Sequence, residues 1–405
     1  MNLASSGQVE YSGETGPLFK IALANAVLTL LTLGIYRFWA RTRERKYMWS
    51  AIRADGSHLE YSGNGLEKFL GFLIAVAFLA VYLGVFQLLL TFLGYSFFEE
   101  DAQLGLIPGL GFSLAPLIIL PLIFYAQYRA RRYVLSRTRW RGIRFGAEKA
   151  AWRYVGVALW NLFLTVITLG ILYPRMVFKL EEFRTNHSYY GDAKLHQGGR
   201  WPMLYKAARQ FFIGLGLLIL GILLTIIGEV QGASTLTGAG GVLFFVANFW
   251  IIIGGMAFGV NAWRMMANEK RLGEVVTFTS TVKTSEVVGR YIGGFILIGV
   301  IVSIFVGVAA LLFGGLVSAF DPADPDFGQT TGAIGLVGFI VLYLGVLISV
   351  SVLTLVWITQ PILEKYVTTL TINNAQALND ISQREGDDFV EAEGFADALD
   401  VGAAI

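Results

Sequence analysis

Residues 8–13 of the chain read QVEYSG, and residues 58–63 read HLEYSG. The two copies share Glu-Tyr-Ser-Gly and begin fifty positions apart. A second repeat relates residues 25–35 (NAVLTLLTLGI) to residues 161–171 (NLFLTVITLGI), 136 positions further on. Repetition of this kind indicates that the chain uses one structural unit more than once.

The composition is that of a membrane protein. Of the 405 residues, 55% are hydrophobic and 15% are charged, and the mean hydropathy is +0.61. Ordinary soluble proteins contain about 25% charged residues, and a membrane-spanning helix needs about 20 apolar ones. Six segments are long enough to span: 69–92, 104–126, 211–227, 242–260, 291–320 and 332–358. Two shorter apolar segments, 21–36 and 155–173, contain the two copies of the second repeat.

Basic residues are unevenly distributed. All of the 31 Lys and Arg residues except Lys20, Lys365 and Arg384 lie in four segments: 37–68, 129–153, 175–209 and 264–290. The connections 94–103, 228–241 and 318–331 contain only acidic charges. The positive-inside rule therefore predicts a multi-pass protein of the bacterial inner (cytoplasmic) membrane, with the basic loops and the C-terminus in the cytoplasm.

This charge map conflicts with eight full crossings, because a crossing at 155–173 would place two basic segments on opposite faces. The Glu-Tyr-Ser-Gly copies also flank segment 21–36, which suggests that both of its ends face the same compartment. We therefore predict six spans in three hairpins, with 21–36 and 155–173 re-entrant or interfacial. The alternative is eight plain spans with one basic loop outside.

Short runs of strand-like residues lie between the apolar segments. The clearest, 275–282, reads VVTFTSTV and is rich in β-branched residues. The others are 8–12, 57–62, 142–146, 192–197 and 367–372. Because isolated hairpins are marginally stable in water, we expect these runs to pair into a small cytoplasmic sheet or barrel. Unconnected turns are the alternative.

The predicted fold class is an all-α polytopic membrane protein with six to eight transmembrane or re-entrant helices, internal repeats and short cytoplasmic β-strands. Residues 1–126 and 127–260 form two repeat units, each with a re-entrant segment and a helical hairpin. Residues 261–372 supply a third hairpin with strands. Residues 373–405 form an acidic cytoplasmic tail, which either packs on the basic loops or is solvated.

Arginine and aromatic residues are interleaved next to the predicted spans, a composition that suits the anionic headgroup zone of a bilayer. One interpretation is that these residues only set the membrane topology and anchor the protein at the membrane interface. The sharper hypothesis is a site for an anionic lipid or solute, in which the tryptophan stacks on the ligand. Its candidate residues are Arg137, Arg139, Trp140, Arg141 and Arg144.

Three elements resemble the YjgN-like bacterial inner-membrane family, a domain of unknown function. They are LTLGIYRFWA at 31–40, RRYVLSRTRWRGIRFG at 131–146 and EGFADALD at 393–400. The likeness runs essentially from end to end, with two departures. Phe38 stands where the family tends to have Pro before Trp, and Arg175 follows Pro174 where Trp is expected. The resemblance implies an inner-membrane protein and supplies no activity or catalytic residues.

Catalytic and metal-binding patterns are absent from the sequence. The chain has no cysteine and three histidines, and no ligand spacing suggests a metal site. We predict no enzymatic activity, no cofactor and no nucleic-acid partner; the lipid bilayer, with its anionic lipids, is the expected partner. The polar residues of the second repeat are candidates to line a transport pathway. Their alternative role is helix packing. They are Asn25, Thr29, Thr32, Asn161, Thr165 and Thr168.

The leading functional hypothesis is a transporter or channel for an uncharged, lipid-like or anionic solute. The alternative is a non-transport membrane scaffold that binds anionic lipid or a partner protein through its basic loops. A cavity between the two Thr-Leu-Gly segments and the Pro-containing span 104–126 would favour transport. A solid helical bundle would favour the scaffold.

Overall fold

A computed structural model describes residues 7–92, 110–318 and 327–384. Ten short antiparallel strands form a closed barrel in the order β1-β10-β9-β8-β7-β6-β5-β4-β3-β2. The strands are β1 Gly7–Tyr11, β2 Ile52–Ala54, β3 Ser57–Tyr61, β4 Thr138–Trp140, β5 Ile143–Ala147, β6 Ser188–Tyr190, β7 Ala193–Gln197, β8 Lys270–Leu272, β9 Val276–Ser280 and β10 Leu370–Asn373.

Helices make up most of the remaining structure. They are α1 Thr15–Leu31, α2 Arg37–Ser50, α3 Gly65–Phe92, α4 Leu110–Arg137, α5 Ala151–Ile167, α6 Tyr173–Asn186, α7 Leu204–Gln231, α8 Ser234–Asn268, α9 Thr284–Ser318, α10 Phe327–Leu353 and α11 Gln360–Thr368. A π-helical turn, Thr354–Thr359, joins α10 to α11. Short 3₁₀ turns cover Trp201–Met203 and Ala375–Asp380.

The described chain repeats one strand–helix–helix–strand unit five times. Within each unit the two strands pair with each other, and the helical hairpin leaves the barrel between them. Tight turns join successive units at the opposite end of the barrel. Asp55-Gly56 and Arg141-Gly142 form two of these turns, and all four residues have positive φ. Such turns match the right-handed twist of the strands that they connect.

The Glu-Tyr-Ser-Gly repeat marks equivalent junctions between a strand and a helix. The backbone N–H of Ser12 donates to the Ala51 carbonyl at 2.8 Å, and that of Ser62 donates to the Arg137 carbonyl at 2.8 Å. Each bond ties the start of a hairpin to the end of its returning helix. Both copies lie at the same end of the barrel, which is the arrangement that the repeat predicts.

The six predicted strand runs correspond to β1, β3, β5, β7, β9 and β10. The expected sheet or barrel is therefore present, whereas the all-α class is a correction: the helices share the fold with a closed barrel. The three-residue strands β2, β4, β6 and β8 were not predicted. Alternate residues of the strands point inward and form an apolar core that includes Val9, Ile52, Trp140, Tyr190 and Leu272.

The two short apolar segments form hairpins that return to the barrel. α1 and α5 each end in a turn where Leu33-Gly34 and Leu169-Gly170 adopt positive φ. The Gly34 N–H donates to the Thr29 carbonyl at 2.7 Å, which closes the end of α1. Each turn leads the chain back to the barrel end from which it started; the re-entrant or interfacial placement of the two segments in a membrane remains a prediction.

Within the described ranges, five helices are long and apolar enough to cross a membrane: Gly65–Leu89, Trp201–Gln231, Ser234–Asn268, Thr284–Ser318 and Thr331–Thr368. They cover five of the six predicted spans. The sixth, 104–126, begins outside the described residues and continues in α4, which remains helical through Pro116 and Pro121. Large apolar side chains on these helices, such as Ile74 and Leu312, are exposed and suit contact with lipid.

Small residues let α7 and α8 pack closely. Gly214 and Gly221 lie seven residues apart on α7, and Ala247 and Gly254 have the same spacing on α8. A Cβ atom added at Gly221 would lie 2.8 Å from the Phe244 nitrogen. The glycines therefore permit close helix approach, as the sequence predicts.

The domain division at 126, 260 and 372 remains a prediction; its first two boundaries fall within α4 and α8. The sidedness of the basic loops also remains a prediction. The acidic tail lies outside the described residues, apart from its start at 373–384.

Candidate ligand cavity

A cavity of about 1540 Å³ runs from the barrel interior into a cleft between α1, α2, α8, α9 and α10. Ligand pockets for small molecules are typically about 300–1000 Å³, so this one exceeds the needs of a compact metabolite. Its walls are largely apolar, and Trp140, Phe278 and Leu355 are representative. A ten-stranded barrel is wider than the eight-stranded kind that side chains can just fill.

Helix α2 supplies the charged part of the wall. Arg37, Arg41, Glu44 and Arg45 all line the cavity, because helical residues spaced by three, four and seven positions share one face. The guanidinium of Arg45 is buried over the rings of Trp49 and Tyr61, at 5.7 and 5.4 Å from their centres. Among the described lining residues, this strip contributes three arginines and one carboxylate, a composition that suits an anionic group.

Glu44 is the acidic member of the strip. Burial raises its pKa, and the hydrogen bond from Asn25, together with the charges of Arg41 and Arg45, offsets this only in part. The Asn25 amide donates to Glu44 Oε1 at 3.0 Å and to the Ala40 carbonyl at 3.1 Å. Asn25 therefore joins α1 to α2 and also faces the cavity.

The π-helical turn also contributes to the wall of the cavity. Thr354, Leu355, Ile358 and Thr359 from this turn all line it. The Thr359 hydroxyl donates to the Thr354 carbonyl at 3.3 Å. Pro361, the second residue of α11, has no N–H to continue the α-helical ladder. Such π-helical turns occur frequently at functional sites.

The predicted pathway residues separate into two groups. Asn25 and Thr29 line the cavity, whereas Thr32, Asn161, Thr165 and Thr168 are absent from its wall. The hydroxyls of Thr32 and Thr168 donate to backbone carbonyls four residues earlier, at 2.8 and 2.7 Å. Arg175 Nη1 donates to Asn161 Oδ1 at 2.5 Å, which joins α5 to α6. Among the residues whose side chains are described, the cavity thus reaches the first Thr-Leu-Gly segment and neither the second nor α4.

The predicted anion-binding residues do not form one cluster. Trp140 lies inside the barrel, where its indole N–H donates to the Ala54 carbonyl at 3.1 Å. Arg137 pairs with Glu67 at 2.9 Å, and Arg141 lies 3.6 Å from Asp55. Arg139 and Arg144 line a separate small pocket on the outer wall. Strand alternation explains the division, because neighbouring residues of β4 point to opposite faces.

Sequence reasoning missed the charged strip on α2 and the π-helical turn. The one-sided spacing of the α2 charges was a visible signal, as was Pro361 within an apolar helix. The burial of Glu44 gave no local signal, because it depends on the packing of α1 against α2. Among the described residues, no group of three or more His, Asp or Glu side chains could hold a metal ion.

The family described as "Bacterial protein of unknown function (DUF898)" matches residues 6–398. The chain belongs to this family. Inner membrane protein YjgN of Salmonella typhimurium is 29% identical over 182 residues, which cover 42% of each chain. The YjgN proteins of two Escherichia coli strains are 29% and 27% identical over 38% of this chain and about a third of their own length. No solved structure matches.

These comparisons confirm the resemblance that the sequence predicted. The chain aligns with less than half the length of the curated relatives it matches. Their names and the five long apolar helices support an integral inner-membrane protein.

Proposed function

We propose that the protein binds a lipid-like amphiphile with an anionic group in the large cavity and moves it between the membrane and the barrel. The observation that carries this proposal is one continuous apolar space with a single basic strip in its wall. An amphiphile satisfies both parts, because its chain replaces water in the apolar space and its anionic group meets the arginines.

The position of the cavity supports movement as well as storage. Its wall combines barrel strands with the long apolar helices α8, α9 and α10, so the space connects two different environments. The π-helical turn offers a local change in helix geometry beside the ligand. Non-helical hydrogen bonding at membrane depth is tolerated where it lines a cavity.

Lipid movement across reconstituted vesicles tests the proposal. We expect the protein to translocate a fluorescent phosphatidylglycerol faster than protein-free vesicles do. Ser351→Trp, which places a large ring in the cavity wall, is expected to abolish most of this rate. Ser303→Trp is the matched control, because Ser303 is an exposed residue of α9 outside the cavity wall.

A charge variant tests the basic strip. Arg41→Gln removes one cavity-lining charge, while Lys46→Gln removes an exposed charge of α2 outside the cavity. A hydrogen bond to a charged group contributes about 1.5–3 kcal/mol, so Arg41→Gln should slow phosphatidylglycerol movement about tenfold. Equal rates for the two variants would contradict an anionic ligand at this strip.

The second candidate is a non-transport scaffold that binds anionic lipid or a partner protein. The concentration of arginines near the barrel favours it. Folded protein that binds phosphatidylglycerol in the cavity and moves none of it would support the scaffold over the transporter.

A further inference from the structure

Glu44 is the acidic residue of the described cavity wall, and an anion-binding role alone does not account for it. The other ionisable residues among the described lining are three arginines and three tyrosines: Arg37, Arg41, Arg45, Tyr190, Tyr291 and Tyr366. Arginine and tyrosine side chains ordinarily keep one charge state between about pH 5 and about pH 8. Within the described wall, Glu44 is therefore the residue whose charge can respond to pH in this range.

Groups from α1, α2 and α3 act on the Glu44 carboxylate. The charged groups among them are cations, namely Arg41 and Arg45 of α2 and Lys68 of α3. From α1, the neutral amide of Asn25 donates to Glu44 Oε1 at 3.0 Å. Burial is the largest influence and raises the pKa of Glu44, whereas the Asn25 hydrogen bond and the three cations lower it by less. The carboxyl group thus has a polar partner in surroundings that favour its neutral form.

An anion that binds at the basic strip meets Glu44 as well as the arginines. Arg41 and Glu44 are three positions apart on α2, so their Cβ atoms are about 5–6 Å apart, and Arg45 is the next residue. A ligand that contacts either arginine therefore lies beside the carboxylate. A like charge at this range raises the pKa of a carboxyl group further, and uptake of a proton removes the repulsion.

The neutral carboxyl group also complements an anion chemically. Its Oε1 atom can still accept from Asn25, while a protonated Oε2 becomes a donor to an oxygen of the ligand. A proton and a monoanion that enter together leave the net charge of the cavity unchanged. This lowers the cost of placing the anion between largely apolar walls.

We propose that the cavity binds its anionic ligand together with a proton, which the Glu44 carboxylate takes from the solvent. This inference rests on the proposed function, because it concerns the same ligand site. It adds proton coupling to that function: an O–H bond forms on Glu44 when the monoanion enters, and the proton returns to the solvent when the ligand leaves.

Calorimetry on the full chain in detergent tests the proposal, with dihexanoyl phosphatidylglycerol as the probe. The charge of this phosphodiester is constant between about pH 5 and about pH 8, so a pH effect in this range belongs to the protein. Titrations in buffers of different ionisation enthalpy give the number of protons taken up. Because the ligand raises the pKa of Glu44, binding should strengthen as the pH falls. We expect about one proton per bound lipid and an affinity about tenfold or more higher at the acidic end.

Two variants identify the group that takes up the proton. Glu44→Gln supplies a neutral acceptor and donor in the same position, so it should bind the probe at about pH 8 as tightly as wild type does at about pH 5, without proton uptake. Asn25→Leu removes the hydrogen bond that lowers the pKa of Glu44, so it should move the pH dependence to higher pH. Glu274→Gln is the matched control, because Glu274 is an exposed residue of the β8–β9 turn outside the cavity wall.

The possible results separate this inference from the proposed function. Binding without proton uptake, or equal uptake by wild type and Glu44→Gln, overturns the proton coupling and leaves the anionic ligand in place. Absence of binding at every pH overturns both. If Glu44→Gln does not fold, a pH dependence that is the same in Asn25→Leu and Glu274→Gln overturns the assignment to Glu44.

Discussion

Replacing Glu181 by Gln is expected to destabilise the fold far more than the same change at its neighbour Glu182. Glu181 lies on α6, where its carboxylate contacts Lys270 of β8 at 2.5 Å and Arg184 at 3.0 Å. Burial alone would raise the pKa of Glu181, but the charges of Lys270, Arg184 and Arg131 outweigh it and hold the pKa below its usual range. The residue thus neutralises cations from three elements.

The size of the effect follows from solvent exposure. The side chains of Glu181 and Lys270 are 12% and 19% exposed, so Glu181→Gln leaves a largely buried ammonium group without its counter-ion. Breaking a buried pair in this way costs about 3–5 kcal/mol. Arg184 is 32% exposed and can be hydrated after the substitution. We therefore expect a loss of unfolding free energy at the lower end of this range, about 3 kcal/mol. Glu182 pairs with Lys179 at the surface, where such pairs contribute about 0–1 kcal/mol.

Unfolding in mixed detergent–SDS micelles, followed by circular dichroism, measures the difference. A free energy of unfolding within about 1 kcal/mol of the Glu182→Gln value would refute the reasoning. The pH provides a second reading. The contribution of Glu181 is complete above its unfolded pKa of about 4.3 and is lost as the pH falls below that value. The gap between wild type and Glu181→Gln should therefore narrow on acidification.

Two further substitutions test the packing of the helices and the barrel. Gly221→Ala should lower the free energy of unfolding by about 1–3 kcal/mol, because the added methyl group overpacks against Phe244. Gly216→Ala is the control, since a Cβ atom there would meet nothing within 4 Å. It should be neutral or slightly stabilising in the same unfolding assay. Trp140→Phe should cost about 2 kcal/mol, because it leaves the buried Ala54 carbonyl without its donor; stability equal to wild type would argue against the inward position of this ring.

The sequence predicted those parts of the fold that carry a local pattern. The β-branched run around Phe278 identifies β9, and the Thr-Leu-Gly repeat identifies two equivalent helix ends. The strand Ile52–Ala54 carries no such pattern, because it has three residues and begins almost directly after α2. It pairs with β1, which is distant in the sequence, and with β3 across the Asp55-Gly56 turn, so its partners specify it rather than its own composition.

The site was less predictable than the fold. Asn25 and Thr29 were selected from the repeat, and they line the cavity because they lie on the inner face of α1. Glu44 and Arg45 resemble residues of a solvated basic helix in sequence. Glu44 and Arg45 become buried only when α1 and β3, which carries Tyr61, pack against α2. The spacing of residues within α2 does not predict that packing.

Photo-crosslinking with a phosphatidylglycerol that carries a photoreactive acyl chain tests the central claim most directly. The reconstituted protein is illuminated, digested and analysed by mass spectrometry for lipid adducts. We predict adducts on Phe278 in the barrel interior and on Leu355 in the π-helical turn, both of which line the cavity. Adducts confined to outward-facing residues such as Leu312 and Ile74 would contradict a lipid-like ligand in the cavity.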